Sequence, residues 1–204
     1  MRYEEFTIEG RNAVIEAYRA GRPIDKLFIL DGCQDGPILT IKREAKAKQT
    51  PVKFVTKERL DQLSETGKHQ GVIAYAAAYE YATVEEILDN ARQKGEAPFL
   101  FLLDNIEDPH NLGAIIRTAN LAGAHGVIVP KNRAAGLTAV VAKTSAGALN
   151  FTPVARVTNL AKTIEELKKE GIWFVCADMG GTTMYDLNLK GPIGLVIGNE
   201  GEGV

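Results

Sequence analysis

A strand–loop–helix–strand unit between Phe99 and Val129 constrains the fold of this chain more than any other segment. Five apolar residues, Phe99 to Leu103, form an uninterrupted run typical of a strand buried on both faces, and a polar loop follows them. Asp108-Pro109 suits a helix entrance, because Asp can cap free amides and Pro has its fixed φ in the first turn. Gly123 ends the predicted helix, and a second buried strand begins at Gly126. Such a unit indicates an open α/β sheet, whose ligands bind at the carboxyl ends of the strands.

A second polar loop follows another apolar strand late in the chain. The run from Pro192 to Ile197 leads directly into the glycine-rich residues 198–203, GNEGEG. Strand and helix patterns alternate through this half of the chain, which favours a mainly parallel sheet. If the two strands are parallel neighbours, both loops lie at the same edge of the sheet. Their polar residues, with those of the helix after the first loop, are Asn105, Glu107, Asp108, His110, Asn111, Arg117, Asn199, Glu200 and Glu202.

The glycine spacing of residues 198–203 resembles a phosphate-binding loop, but the charges do not fit a phosphate. The segment lacks the Lys-Ser/Thr pair of a P-loop and contains two carboxylates, which would repel an anion. A dinucleotide-binding motif would also lie in the first strand–helix turn, whereas this loop follows the last predicted strand. An acidic glycine-rich loop better suits a cationic or hydroxyl-bearing ligand. S-adenosylmethionine, with its sulfonium and ammonium charges, is such a ligand.

The first 78 residues predict a compact αβα domain, because short helical and strand patterns alternate there. A linker over residues 79–97 and a second domain over residues 98–204 are expected to follow. Thr83 and Glu86 match a capping box, so part of the linker should be helical. The small residues between Lys143 and Ala148 permit either close approach to a ligand or tight helix packing. Predicted helices cover Gly10–Ala20, Pro37–Lys48, Lys57–Leu63 and Leu160–Glu170, and predicted strands cover Lys26–Leu30, Val52–Val55, Val72–Ala77, Val154–Val157 and Ile172–Ala177.

Composition argues against several classes of protein. With 45% hydrophobic and 25% charged residues and a net charge of -2, the chain is typical of soluble globular proteins. No apolar run approaches the roughly 20 residues of a membrane span and nothing resembles a signal peptide, so we expect a cytoplasmic protein without membrane contact. Cys33, Cys176 and the histidines have no metal-ligand spacing, and no metal is expected. Ile41 to Arg59 holds seven basic residues against two acids, which suits either RNA or a solvated helix face.

Two of these segments resemble the signatures of a known enzyme family. Residues 104–119, DNIEDPHNLGAIIRTA, resemble the first signature of the SpoU (TrmH-type) RNA ribose 2'-O-methyltransferases of the SPOUT superfamily, and residues 197–203 resemble the second. Gly10 to Val14 and His69 to Val72 resemble the ends of the L30e-like substrate-binding domain that many members carry. The resemblance covers essentially the whole chain, and two long motifs in the right order make it specific. Closest in layout are enzymes that methylate a guanosine ribose in bacterial 23S rRNA.

The resemblance implies an L30e-like αβα domain followed by a SPOUT domain with a C-terminal trefoil knot, which forms the S-adenosylmethionine pocket. Family members usually act as homodimers, with the active site completed across the interface. The third family signature, a Ser/Asn-rich stretch that closes the knot, has no counterpart before Val204. We therefore expect a C-terminally truncated chain with an incomplete knot that binds the cofactor poorly.

The resemblance also implies site residues. The candidates for catalysis are Asn111, Arg117 and Glu200. The candidates for cofactor binding are Thr144, Ala146, Ile197, Gly198 and Asn199. The candidates for RNA contact are Arg11, Asn12, Lys42, Lys46, His69 and Gln70.

Arg117 is the candidate for activating the ribose 2'-hydroxyl, but a guanidinium stays protonated and is a poor base. Our hypothesis is that Arg117 holds the substrate phosphate and favours the developing alkoxide, while a phosphate oxygen or Glu200 takes the proton. Asn111 would orient Arg117 or the ribose, and Glu200 would anchor both loops. Three alternatives remain open from sequence: a tRNA ribose methyltransferase, a resistance enzyme acting elsewhere on rRNA, and a non-catalytic RNA-binding factor of ribosome assembly.

Overall fold

Two β-sheets organise the chain, one in each of two units. The structure, a computed structural model, describes residues 6–199, 201 and 203. One unit runs to Glu80 and includes Gly136–Ala139, and the other comprises residues 81–135 and those from Val140 onwards. Within the described part of the chain, no helix is both long enough and apolar enough to cross a membrane.

The first unit is a mixed sheet covered by helices on both faces, which confirms the predicted αβα arrangement. Its sheet has the strand order β1-β4-β2-β3, with β4 antiparallel to β1 and β2, and β2 parallel to β3. Helices α1 and α2 bury Val14, Ile38 and Ile41 against one face, and α3 buries Leu60 against the other. The elements are β1 (Phe6–Glu9), α1 (Arg11–Arg19), β2 (Ile24–Leu30), α2 (Gly36–Lys48), β3 (Val52–Val55), α3 (Lys57–Leu63) and β4 (Val72–Ala76).

The second unit is an all-parallel sheet of five strands in the order β7-β6-β5-β9-β8, as the alternating pattern predicts. Its core includes Leu100, Leu102, Ile128 and Val196, all of which are buried. The elements are α4 (Val84–Lys94), β5 (Phe99–Leu103), α5 (Pro109–Leu121), β6 (Gly126–Pro130), α6 (Ala139–Thr144), β7 (Val154–Val157), α7 (Leu160–Lys169), β8 (Trp173–Ala177) and β9 (Ile193–Ile197).

Capping residues in the sequence determine where helices α4 and α5 begin. The capping box of α4 is confirmed, since the Thr83 hydroxyl accepts from the Glu86 N–H while the Glu86 carboxylate accepts from the Thr83 N–H. The buried face of α4 packs into the core of the second unit through Ile87. Helix α5 begins as predicted, because Asp108 caps the His110 N–H at 2.6 Å.

Glu9, at the end of β1, holds the loop between α3 and β4. Its carboxylate accepts hydrogen bonds from the hydroxyls of Ser64 and Thr66 and from the backbone N–H groups of Glu65 and Thr66. Burial raises the pKa of Glu9, but these hydrogen bonds outweigh it and lower the pKa to about 2. Because the folded-state pKa lies below the ordinary value of 4.5, the stabilisation is present above pH 4.5 and is lost as the pH falls towards 2.

Glu9→Gln is therefore expected to lower the free energy of unfolding by about 1–3 kcal/mol at pH 7, since Gln presents N–H groups where the loop needs acceptors. The difference from the wild-type chain should shrink as the pH falls from 4.5 towards 2. Urea unfolding of both proteins at pH 7 and pH 3 measures it, with Glu80→Gln, an exposed carboxylate of the same unit, as the control. A difference that stays constant with pH would contradict the role given to the charged form of Glu9.

Candidate functional site

The loops that follow β5 and β9 lie at the same edge of the second sheet. The two strands are parallel neighbours, with Leu103 opposite Ile197 at their carboxyl ends. The Asp104 N–H donates to the Ile197 carbonyl at 2.9 Å, so the ladder extends one residue into the first loop. The predicted adjacency of the two loops is confirmed.

Asn199 joins these loops through its side-chain amide. Its Nδ2 donates to the Asn105 carbonyl at 3.2 Å, and its Oδ1 accepts from the Gly201 N–H at 2.7 Å. The Asn199 backbone forms a two-hydrogen-bond pair with Gly203, which closes the loop on itself. The sequence predicts the joining role for Glu200, which lies outside the described residues. Asn199 thus positions the two loops, and cofactor binding by Asn199 stays a prediction.

The two catalytic candidates on α5 occupy different sides of that helix. Asn111 lies half-buried in the first turn, and Arg117 is exposed farther along. Six residues separate them, which places their side chains about 120° apart around the helix axis. Arg117 has no hydrogen bond or ion pair to another described residue. Asn111 is therefore not hydrogen-bonded to Arg117 in the structure, and the catalytic roles of both residues stay predictions.

The last residue of α6, Thr144, belongs to the stretch of small residues and packs tightly against α5. The Thr144 hydroxyl donates to the Val140 carbonyl at 2.8 Å, and a Cβ added to Gly113 would lie 1.8 Å from Thr144 Oγ1. The structure therefore shows the helix packing that the sequence left open. Ala146 is exposed and has a positive φ of 50°. Cofactor binding by Thr144 and Ala146 stays a prediction.

Two of the residues predicted to contact RNA form one cluster in the first unit. Arg11 Nε donates to the Gln70 carbonyl at 3.0 Å, and its guanidinium pairs with Asp35 at 2.8 Å. The Gln70 side chain accepts from the Arg11 N–H at 3.2 Å. Asn12 is exposed beside them.

Among the other RNA candidates, His69 is buried. Its ring is 7% exposed, Nδ1 accepts from the Gly71 N–H, and Nε2 lies 2.9 Å from the Asp61 carboxylate. Both ring nitrogens of His69 are thus engaged within the first unit, and RNA contact by His69 stays a prediction. Lys42 donates to the Cys33 carbonyl at 2.8 Å and lies 5.0 Å from the ring centroid of the exposed Phe54, whereas Lys46 is exposed.

The loop after β8 also reaches this edge of the sheet. Strand β8 is a parallel neighbour of β9, and a Cβ added to Gly203 would lie 3.7 Å from Asp178 Oδ1. No motif in residues 178–191 predicts this proximity. The available signal is the position of the loop directly after a strand. Among the described residues, no group of three or more His, Cys, Asp or Glu side chains is arranged to hold a metal ion.

Comparison with protein families supports the resemblance drawn from the motifs. A sequence model described as the SpoU rRNA Methylase family matches residues 98–204. A second model, described as RNA 2'-O ribose methyltransferase substrate binding, matches residues 7–82.

Similar full-length proteins carry corresponding names. YacO of Bacillus subtilis, which bears the name of a TrmH family tRNA/rRNA methyltransferase, is 47% identical over 197 residues, covering 96% of this chain and 78% of YacO. A protein of Staphylococcus aureus strain MRSA252 with the same family name is 44% identical over 202 residues, covering 98% of this chain and 81% of the relative.

Solved structures share the fold. An rRNA methyltransferase from Sinorhizobium meliloti with bound AdoMet has a TM-score of 0.53 at 25% identity, covering 98% of this chain and 72% of that one. The SpoU methyltransferase AviRb from Streptomyces viridochromogenes has a TM-score of 0.54 at 23% identity, covering 98% of this chain and 75% of that one.

Proposed function

Because this chain belongs to the SpoU rRNA methylase family, we propose that it transfers the methyl group of S-adenosylmethionine to the ribose 2'-hydroxyl of a guanosine in bacterial 23S rRNA. The substrate-binding match over residues 7–82 supports the ribose 2'-oxygen as the acceptor and an RNA as the substrate. The two-domain layout, with its L30e-like first unit, supports a structured rRNA site over tRNA.

The hydrogen bond from Asn199 to the Asn105 carbonyl carries this proposal. It holds the two family signatures together at the carboxyl edge of a parallel sheet, where ligands of such sheets bind. The loop after β5 leads into α5 with Asn111 and Arg117, and the loop after β9 contains the acidic glycine-rich residues. One edge therefore brings together groups able to hold a cofactor and groups able to hold a phosphate and a ribose.

The groups at this edge suit S-adenosylmethionine by their charge. Residues 198–203 contain no Lys or Arg, so a cationic ligand is favoured over an anionic dinucleotide. Backbone groups of Ile197 and Gly198, together with Thr144 and Ala146, would hold the adenosine. When bound, the cofactor supplies a methyl group on a sulfonium sulfur, which keeps the electron pair of the broken C–S bond as the new O–C bond forms.

The side chains of α5 would prepare the ribose for attack. The 2'-hydroxyl is a weak nucleophile, so its proton must be removed or polarised and its oxygen held in line with the methyl group. Arg117 is exposed and free of described partners, so its guanidinium can bind the substrate phosphate and stabilise negative charge on the oxygen. Asn111 would orient the ribose, and a phosphate oxygen or Glu200 would take the proton.

Mapping the product tests the proposal. The full chain is incubated with methyl-labelled S-adenosylmethionine and either 23S rRNA or tRNA, and nuclease digests are analysed by mass spectrometry. The expected product is 2'-O-methylguanosine in 23S rRNA. A label found in tRNA alone would establish the tRNA alternative, and no transfer to either RNA would favour the non-catalytic RNA-binding factor.

We also propose a cytoplasmic homodimer, following the family resemblance. Leu121 at the end of α5 is 80% exposed and Phe151 is 78% exposed. Their chain neighbours Asn120 and Thr152 are hydrogen-bonded to each other at 3.0 Å, so the two apolar side chains flank one contact. These two side chains are our candidates for the centre of an association surface, because contiguous exposed apolar groups mark such surfaces.

Sedimentation of the full chain at micromolar concentration should therefore show a dimer that Leu121→Lys weakens, because a charge would enter the interface. Leu39→Lys, at an exposed apolar position in the first unit, is the control. A wild-type monomer, or equal weakening by both substitutions, would argue against this surface.

A further inference from the structure

A cavity of about 380 Å³ lies at the same sheet edge, on the side of α7. Its apolar floor includes Leu160 and Ile164 of α7 and Val196 of β9. The volume and the apolar floor suit a flat ring system of nucleoside size, because ligand pockets combine such surfaces with a few directed polar groups.

The cavity lies on the opposite face of the sheet from Ile197. Side chains alternate along a strand, and Val196 points into the core beneath α4 and α7, so Ile197 points to the other face. Leu102 is paired with Val196 and shares that core, which places Asp104, two residues on, on the cavity side. None of the residues proposed to hold the cofactor is among the described residues that line the cavity.

One basic side chain, that of Arg133, lines the cavity. Arg133, in the loop after β6, lines the cavity, is exposed and has a positive φ of 56°. It makes no hydrogen bond or ion pair with another described residue. The guanidinium of Arg133 can pair with an anion, and a phosphate is the anion that an RNA chain presents.

The lining of the cavity also includes an acidic side chain and two neutral polar groups. Asp104 lines the cavity, and its carboxylate accepts hydrogen bonds but would repel a phosphate. Asn105 and Thr158 add an amide and a hydroxyl. One carboxylate with two oxygens matches two adjacent N–H donors, and among the RNA bases guanine presents such a pair on its Watson–Crick edge, at N1 and N2.

We propose that this cavity binds one guanosine nucleotide of the RNA substrate, with the base on the apolar floor, its N1 and N2 donors on Asp104 and its phosphate on Arg133. The inference rests on the proposed function, since it supplies the guanosine preference of that reaction. Reading a base by its Watson–Crick edge requires an unpaired nucleotide, which is the usual target of sequence-specific RNA recognition.

Nucleotide binding to the full chain tests the cavity without any methyl transfer. Dissociation constants for GMP and AMP are measured by NMR titration, and S-adenosylmethionine binding is measured separately by calorimetry. We expect GMP to bind about tenfold more tightly than AMP, since a matched pair of base hydrogen bonds contributes about 1–3 kcal/mol. Asp104→Asn should abolish this preference, and Arg133→Ala should weaken both nucleotides about tenfold.

Ala161→Phe provides a second variant, because Ala161 lines the cavity from an exposed position and a larger side chain there fills the cavity without entering the core. It should abolish nucleotide binding and leave the S-adenosylmethionine dissociation constant within about twofold. Lys169→Ala, which removes an exposed positive charge at the other end of α7, is the control.

Equal binding of GMP and AMP, or nucleotide binding unaffected by both Arg133→Ala and Ala161→Phe, would overturn the proposal. So would loss of S-adenosylmethionine binding in Ala161→Phe, which would make the cavity the cofactor pocket. A chain that binds GMP here but transfers no methyl group to RNA would refute the proposed function alone.

Discussion

Arg117→Ala is expected to lower kcat for methyl transfer by about 10²–10⁴-fold while leaving the free energy of unfolding nearly unchanged. The side chain is exposed on α5 and makes no hydrogen bond or ion pair with another described residue, so its removal costs little stability. The loss arises in the transition state, where the guanidinium would stabilise charge on the ribose oxygen and hold the phosphate. Single-turnover rates measure the effect, and Lys94→Ala, at an exposed position of α4, is the control for charge.

The pH dependence of Arg117→Lys separates electrostatic stabilisation from base catalysis. Lys keeps the positive charge but cannot form the paired hydrogen bonds of a guanidinium. We therefore expect partial activity and a pH–rate profile whose basic limb does not move. If Lys restores most of the activity and shifts that limb to lower pH, Arg117 acts as a base and our hypothesis is wrong.

Gly113→Ala is expected to destabilise the second unit by about 1–3 kcal/mol, although Ala is the better helix former. The new methyl group would lie 1.8 Å from Thr144 Oγ1 and 3.0 Å from the Val141 carbonyl oxygen. Because α5 and α6 contact each other through this glycine, one of them must move. Urea unfolding measures the change.

Two further variants test whether the contact with Thr144 causes the destabilisation by Gly113→Ala. In a Thr144→Gly background the nearest atoms are gone, so Gly113→Ala should cost less than in the wild-type chain, which a double-mutant cycle reports as coupling. Gly36→Ala in α2 is the matched control, because nothing lies within 4 Å of its added Cβ and it should be neutral or stabilising. Additive effects of the two substitutions would show that the strain lies elsewhere.

The sequence predicts most elements of the second unit because their signals are local. The apolar run of β5, the Asp108 cap and the spacing of α5 each depend on a few neighbouring residues, and all are confirmed. Strand β1 escapes prediction, since four residues show too little alternation and its pairing with β4 joins segments more than 60 residues apart. The trefoil knot stays a prediction.

The site is predictable in outline, but its contacts are not. Both loops are recognisable from their motifs, yet the hydrogen bond between Asn199 and Asn105 spans 94 residues. The contact between Gly113 and Thr144 likewise needs the packing of two helices. The motif makes His69 a candidate for RNA contact, which needs an exposed side chain. In the structure its ring is buried and hydrogen-bonded to Asp61 and Gly71.

Asn199→Asp is the sharpest test of our proposal that the joined loops after β5 and β9 form one methyl-transfer site. Asp keeps the acceptor for the Gly201 N–H but loses the donor to the Asn105 carbonyl. The side-chain link between the loops should therefore be lost while each loop keeps its own conformation.

Single-turnover transfer of a labelled methyl group to 23S rRNA is compared between the wild-type chain, Asn199→Asp and Asn188→Asp, which makes the same charge change at an exposed position. We expect transfer to fall at least about tenfold in Asn199→Asp alone, as for the loss of a hydrogen bond that positions a loop, while the circular dichroism spectrum stays unchanged. Wild-type transfer rates in Asn199→Asp would contradict it.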